Sequence, residues 1–276
     1  MIWRLNEFFL FGASLALFLF VIEMSFRLGR RATSGGDADG KAHVGALQAA
    51  ALVILALLLG FAFAMAVERF DTRKGLVVEE ANAIGTTFLR ARLLSEPPGQ
   101  EMAELLQDYV SARLAFYSAG IDPDRLDAAN GEALRIEKQM WMLTEQLVTN
   151  DVSSIPVGLF IQSLNEVLDD KERRLAALQN HVPDSVVFLL FFVSTVALAF
   201  VAYGCGLSRQ RRFVMNAAFA LLIAMVIAAI IDMDRPRRGL IRVNQDSMIR
   251  LKATIDNELN ISAQQHKSCL RGQPRR

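Results

Sequence analysis

The sequence predicts an all-α membrane protein with four transmembrane helices in two hairpins and a helical extramembrane domain between spans two and three. Hydrophobic residues make up 53% of the 276 residues, and the mean hydropathy is +0.29. This composition is more apolar than that of an ordinary soluble domain. Four long apolar runs account for it, and the charged sequence between them has helical rather than alternating periodicity.

The four predicted spans cover residues 8–26, 44–67, 186–207 and 213–231. Each has close to the roughly 20 apolar residues that cross the hydrocarbon core of a bilayer. Residues 27–43 are predicted to form a loop, because they contain the turn-forming sequence SGGDADG. The third and fourth spans are separated only by SRQRR, which predicts a tight antiparallel hairpin.

Four segments are therefore predicted along the chain. A first transmembrane hairpin (1–67) precedes a helical extramembrane domain (68–182), and a second hairpin (183–233) precedes a C-terminal amphipathic segment and tail (234–276). Within the extramembrane domain, a helix start is predicted at Asp122-Pro123, with Asp122 as the N-cap. The tail from His266 onward is predicted to be disordered.

The second span and its continuation are the most informative stretch of the sequence. No proline interrupts it between residues 44 and 94, so one helix is predicted to leave the membrane and continue in water. Its landmarks are a Gly-Phe pair inside the span, basic residues at and after the exit, an acidic cluster and a Leu-Arg end: Gly60, Phe61, Arg69, Arg73, Lys74, Glu79, Glu80, Ala81, Asn82, Leu89 and Arg90.

This stretch resembles the second transmembrane helix of the bestrophin family. It is more similar still to bacterial bestrophin-like membrane proteins of unknown function (the DUF4239 group), and that resemblance covers most of the chain. True bestrophins have paired aromatic residues after the exit arginine, whereas Phe70 and Asp71 stand there in this sequence. The resemblance implies a bestrophin-like fold and a homo-oligomer, specifically a pentamer, around a central axis.

One side of the second helix is apolar in the membrane and polar beyond it. At 100° per residue the following ten residues fall within one sector of about 100°: Val53, Leu57, Phe61, Ala64, Glu68, Thr72, Gly75, Glu79, Asn82 and Thr86. In bestrophins the corresponding helix lines the pore, so the resemblance makes Val53, Leu57 and Phe61 candidates for a hydrophobic neck. The alternative is that these side chains pack against another helix or lipid.

Acidic residues extend the same sector outside the membrane. Glu68 and Glu79 would form carboxylate rings along an ion path, and such rings favour cations. The alternative is pairing of these acids with Arg69, Arg73 or Lys74 of neighbouring helices.

Charged residues also occur at the edge of the membrane. Asp232 and Asp234 end the fourth span, and acids at membrane depth are functional candidates. We predict ion pairing there with Arg69 and Arg235, which would serve a structural purpose.

No catalytic constellation, metal-ligand spacing or cofactor motif is recognisable in the sequence, so neither an enzyme nor a cofactor is predicted. The predicted partners are the lipid bilayer, other copies of the chain and small inorganic ions, without nucleic acid.

The predicted location is the bacterial cytoplasmic membrane. More lysines and arginines flank the spans on the side of the extramembrane domain, which favours a cytoplasmic location for that domain and the termini, whereas the arginines after the first span argue the reverse. Bestrophins keep the corresponding domain and both termini in the cytosol, and the resemblance implies that orientation here. The predicted function is ion conduction; the alternative is a non-conducting membrane scaffold or sensor whose helical domain binds a partner.

Overall fold

The computed structural model describes residues 7–32, 38–150, 153–237 and 239–271, and all the regular secondary structure in this part of the chain is α-helical. In chain order its helices are α1 (Glu7–Ala32), α2 (Ala38–Ala91), α3 (Pro98–Ser118), α4 (Pro123–Asn150), α5 (Ile155–Gln179), α6 (Asp184–Leu207), α7 (Phe213–Met233) and α8 (Asp246–Arg271). The predicted all-α fold class is confirmed. Four stretches are long and apolar enough to cross a membrane, and they contain α1, α2, α6 and α7.

The chain divides into two compact units. The transmembrane unit comprises Met1–Phe70 and Asn180–Arg242, and the polar unit comprises Asp71–Gln179 and Val243–Arg276. Helix α2 contributes its first part to the transmembrane unit and its last part to the polar unit. The C-terminal helix α8 belongs to the polar unit, because Met248 and Ile255 are buried in its core.

In the transmembrane unit, α1 packs most closely against α6, with which it is not consecutive in the chain. Two glycines permit the approach. A Cβ on Gly29 would lie 2.3 Å from the carbonyl oxygen of Tyr203, and one on Gly206 would lie 2.4 Å from that of Phe26. Small residues allow transmembrane helices to approach this closely, and the resulting dispersion contacts hold helices together in lipid.

The polar unit has one hydrophobic core, formed by side chains from α2, α3, α4, α5 and α8. Ile84, Leu106, Met140, Phe160 and Ile255 are buried in it, one from each helix. Asp122 begins α4 as the sequence predicts, since its Oδ1 accepts the backbone N–H groups of Asp124 (3.1 Å) and Arg125 (3.3 Å).

Two boundaries differ from the sequence predictions. Most of the predicted loop at residues 27–43 is helical, because α1 continues to Ala32 and α2 begins at Ala38. In α1 an i,i+4 ion pair between Glu23 and Arg27 (2.8 Å) supports this extension. At the C-terminus, α8 continues past His266 to Arg271, where the sequence predicted a disordered tail.

Candidate functional site

The side of α2 that carries Val53, Leu57 and Phe61 is uncovered in the transmembrane unit. These side chains are 68%, 56% and 63% exposed. The opposite side, with Leu55, Ala62 and Ala66, is buried against other helices of the same unit. The three candidate neck residues therefore share one exposed face, and within the chain they are not core residues.

The same face stays exposed along the rest of the ten-residue sector. Ala64 and Glu68 are exposed in the transmembrane unit, and the remainder are exposed in the polar unit: Thr72, Gly75, Glu79, Asn82 and Thr86. Because all ten residues are exposed, the helix presents one continuous strip that changes from apolar to polar near Glu68. Arg73, by contrast, lies on the buried side of α2.

Neighbouring carboxylates of α2 have opposite surroundings. Glu79 is exposed, whereas Glu80 is completely buried in the polar unit. Adjacent residues of a helix diverge by 100°, which allows Glu79 to point away from the core while Glu80 points into it.

Glu80 is the centre of a buried ion-pair network. It accepts a hydrogen bond from Arg113 Nε at 2.6 Å and another from Arg174 Nη1. The guanidinium of Arg174 lies 3.8 Å from the ring centroid of Tyr117 and also donates to Gln245 Oε1 at 3.0 Å. The network thereby connects α2, α3 and α5 to the segment that precedes α8.

The surroundings of Arg113 in this network favour its charged state. Burial is the largest influence on the pKa of Arg113 and by itself would lower it. The charge of Glu80, the neighbouring Tyr117 and Tyr109 and the hydrogen bond to Glu80 together outweigh burial and raise that pKa above its ordinary value. A buried carboxylate between two guanidinium groups is balanced in this way, while the loss of any one partner would leave an uncompensated charge. This network was not predicted from the sequence. The sequence contained one signal of the network: Glu80 is a charged residue on the apolar side of α2, one turn from Val77 and one turn from Ile84.

Asp234 lies in a buried polar cluster at the end of α7. Its side chain is fully buried, and Oδ2 accepts the backbone N–H of Val182 at 2.7 Å. Arg69 Nη1 lies 3.8 Å from Oδ1, and His181 Nδ1 lies 3.4 Å from Oδ2. The cluster thus joins the end of α7 to α2 and to the segment that leads into α6.

The structure gives Asp232 a different partner from the arginines that the sequence analysis expected. Its carboxylate accepts the backbone N–H groups of Leu240 at 3.0 Å and Ile241 at 3.0 Å. This turn requires glycine at position 239, because φ there is +113° and a Cβ would lie 2.2 Å from Asp232 Oδ1. Arg235, which precedes this turn in the sequence, is buried, with 3% of the residue exposed. Asp232 therefore fixes the backbone after the last span.

The four long apolar helical stretches are those of a multi-pass integral membrane protein. The model of the Bestrophin-like domain matches residues 12–248. The chain therefore belongs to the bestrophin-like family.

Solved structures show the same fold. A bacterial bestrophin homologue from Klebsiella pneumoniae superimposes with a TM-score of 0.61 at 14% sequence identity, over 92% of this chain and 97% of that chain. A single-residue variant of that homologue gives the same TM-score and identity, over 89% and 96% of the two chains. No curated protein matches the chain.

Proposed function

We propose that the protein assembles as a homo-oligomer in the membrane and conducts small inorganic ions along the exposed face of α2. The observation that carries this proposal is the continuous exposure of the ten-residue strip from Val53 to Thr86. Membership of the bestrophin-like family supports a channel rather than an enzyme. The proposed location is the bacterial cytoplasmic membrane, with the polar unit and the termini on the cytoplasmic side.

The apolar part of the strip would act as the neck of the pathway. An apolar constriction opposes ions because they must lose hydration water to enter it, and such constrictions gate by dewetting. Leu57 and Phe61 have large, exposed side chains, as a ring formed by several copies requires. Within a single protomer these side chains contribute little to packing, which supports their contact with something other than the rest of the same chain.

The polar part of the strip would make the path attractive to cations. Glu68 and Glu79 are exposed carboxylates on the same face. Repeated around an axis, each would form a ring of negative charge, and acidic rings favour cations. We therefore propose selectivity for small inorganic cations.

Two measurements test the proposal. Native mass spectrometry of the detergent-purified protein is expected to show one defined complex larger than a dimer, with a pentamer as the specific expectation. Liposomes containing the protein are expected to show ion flux above that of empty liposomes. Monomers at micromolar concentration, or a defined complex without flux, would instead favour a non-conducting scaffold or sensor.

A selectivity test adds a residue-level readout. Glu68→Gln and Glu79→Gln, made together, are expected to lower the ratio of cation to anion permeability in reconstituted protein. Glu132→Gln is the control, because Glu132 is exposed on α4 and pairs with Arg135 at 2.6 Å, away from the α2 strip in sequence. An unchanged permeability ratio in the double variant would remove the acidic rings from the proposal.

A further inference from the structure

A polar cavity lies in the transmembrane unit, at the end where α2 begins and α6 ends. Its volume is about 340 Å³, at the lower end of the range for ligand pockets. Lys41 lies near the start of α2, Leu207 is the last residue of α6 and Arg212 immediately precedes α7. The cavity therefore lies at the ends of the apolar helices, which is where lipid headgroups would lie when these helices span a bilayer.

Among the described residues that line the cavity, every charged side chain is basic. Lys41 and Arg212 are basic, and none of the lining residues is acidic. Arg212 is held by Gln210, whose Oε1 accepts a hydrogen bond from Arg212 Nη2 at 2.8 Å. Two cations without a carboxylate favour an anion, and a guanidinium matches the geometry of phosphate oxygens.

The rest of the lining is divided between hydrogen-bonding and apolar groups. Gln48 lies against Gly204, where a Cβ would be 3.2 Å from the Gln48 Oε1. Ser208 adds a hydroxyl, and Val44 and Val201 form apolar walls. The lining is therefore complementary to an anionic group, to neutral hydroxyls and to the first carbons of an acyl chain.

We propose that this cavity binds the phosphate of a membrane phospholipid whose headgroup is an uncharged polyol. The two cations bind the phosphate oxygens, and the amide and hydroxyl side chains accept and donate to the polyol. A choline headgroup is disfavoured, because its ammonium group would face two cations. This site is independent of ion conduction, so it stands or falls separately from the proposed function.

Cys205 provides a local reporter, because its side chain is partly exposed and lines the cavity. The full-length Cys269→Ser protein in detergent would be reacted with a small polar maleimide, and the rate of modification of Cys205 measured by mass spectrometry. Separate reactions would contain phosphatidylglycerol, phosphatidylcholine or inorganic phosphate at equal concentration. Phosphatidylglycerol at ten times its Kd is expected to slow the reaction about tenfold, because the free fraction of sites falls accordingly. Phosphatidylcholine is expected to change it little.

A charge variant assigns the protection to the cavity. Lys41→Gln with Arg212→Gln is expected to abolish protection by phosphatidylglycerol. Arg30→Gln with Arg31→Gln is the matched control, since it removes the same charge from the end of α1 without touching the cavity lining. Equal protection in the cavity variant and the wild type, or no protection in the wild type, would overturn the proposal.

A filling variant tests the site without a change of charge. A Cβ at Gly45, which lines the cavity, or at Gly40, which does not, would meet nothing within 4 Å. Gly45→Leu is therefore expected to weaken protection and Gly40→Leu to preserve it; retained protection in Gly45→Leu would contradict the location. If inorganic phosphate protects Cys205 as well as phosphatidylglycerol does, the result would support binding of phosphate in the cavity. It would assign the ligand to the free anion rather than to a lipid.

Discussion

The strongest test of the conduction pathway is to shorten the side chains of the proposed neck. Leu57→Ala and Phe61→Ala, alone and together, are expected to increase ion flux through reconstituted protein, because smaller side chains leave a wider constriction that water enters more easily. Every ~1.4 kcal/mol taken from the barrier raises the rate about tenfold. We expect the double variant to exceed each single variant.

The effect of these changes on the stability of the protomer is expected to be small. More than half of each side chain is exposed, 56% for Leu57 and 63% for Phe61. Truncation of a fully buried leucine costs about 2–5 kcal/mol, so these exposed positions should lose only about 1 kcal/mol. Leu55→Ala, at a position that is 2% exposed, is expected to show the full loss and no rise in flux.

A matched aromatic control separates the neck from the general surface of α2. Phe63 is 43% exposed but lies about 160° from Phe61 around the helix. Phe63→Ala is therefore expected to leave flux unchanged. Liposome flux and thermal melting would be measured for all variants in parallel. Loss of stability in the Leu57 and Phe61 variants without any gain in flux would place those residues in a packed interface and refute the neck.

Three further predictions concern the packing that supports the pathway. Glu80→Gln is expected to lower stability by about 3–5 kcal/mol, because two buried guanidinium groups lose their counter-charge; Glu79→Gln, at the exposed neighbour, should change it by less than about 0.5 kcal/mol, and equal melting of the two would contradict the buried network. The double change Asp232→Leu and Asp234→Leu is expected to lower the melting temperature or reduce assembly, since it removes the acceptors that hold the end of the last span; unchanged melting and assembly would show that these acids are dispensable. Gly206→Ala is expected to destabilise the protein by about 1–3 kcal/mol through overpacking of α1 against α6, and a melting temperature at or above that of the wild type would show that the helices separate without penalty.

The positions of the helices were largely predictable from the sequence. Apolar runs of about 20 residues, with few charges inside them, are typical of membrane spans. The capping pattern at Asp122 and Pro123 likewise depends on local chemistry that needs no tertiary partner. The helical extent of residues 27–32, 38–43 and 266–271 was missed, because turn-forming residues and a terminal position outweighed favourable helix propensity in the prediction.

The exposed strip on α2 was visible as a pattern, since helical periodicity alone places Val53, Leu57 and Phe61 on one side. The pattern could not say whether that side was covered, because apolar residues in a span pack equally well against lipid, another helix or another copy of the chain. Only the folded chain shows that its own helices leave the strip open. Its use as an ion pathway remains a prediction, as does membership of the DUF4239 group.

The helical class, the four spans and the polarity of each face of α2 could be predicted from local sequence, because they depend on residues near one another in the chain. Which charges pair could be seen only in the folded chain. Glu80 is 33 residues from Arg113 and 94 from Arg174, and no local rule pairs residues at such separations. The same holds for Gly29 and Gly206, whose importance lies in the close approach of two helices, α1 and α6, that are far apart in the chain. Long-range pairing depends on how the helices pack, and that packing is a property of the whole chain rather than of any one segment.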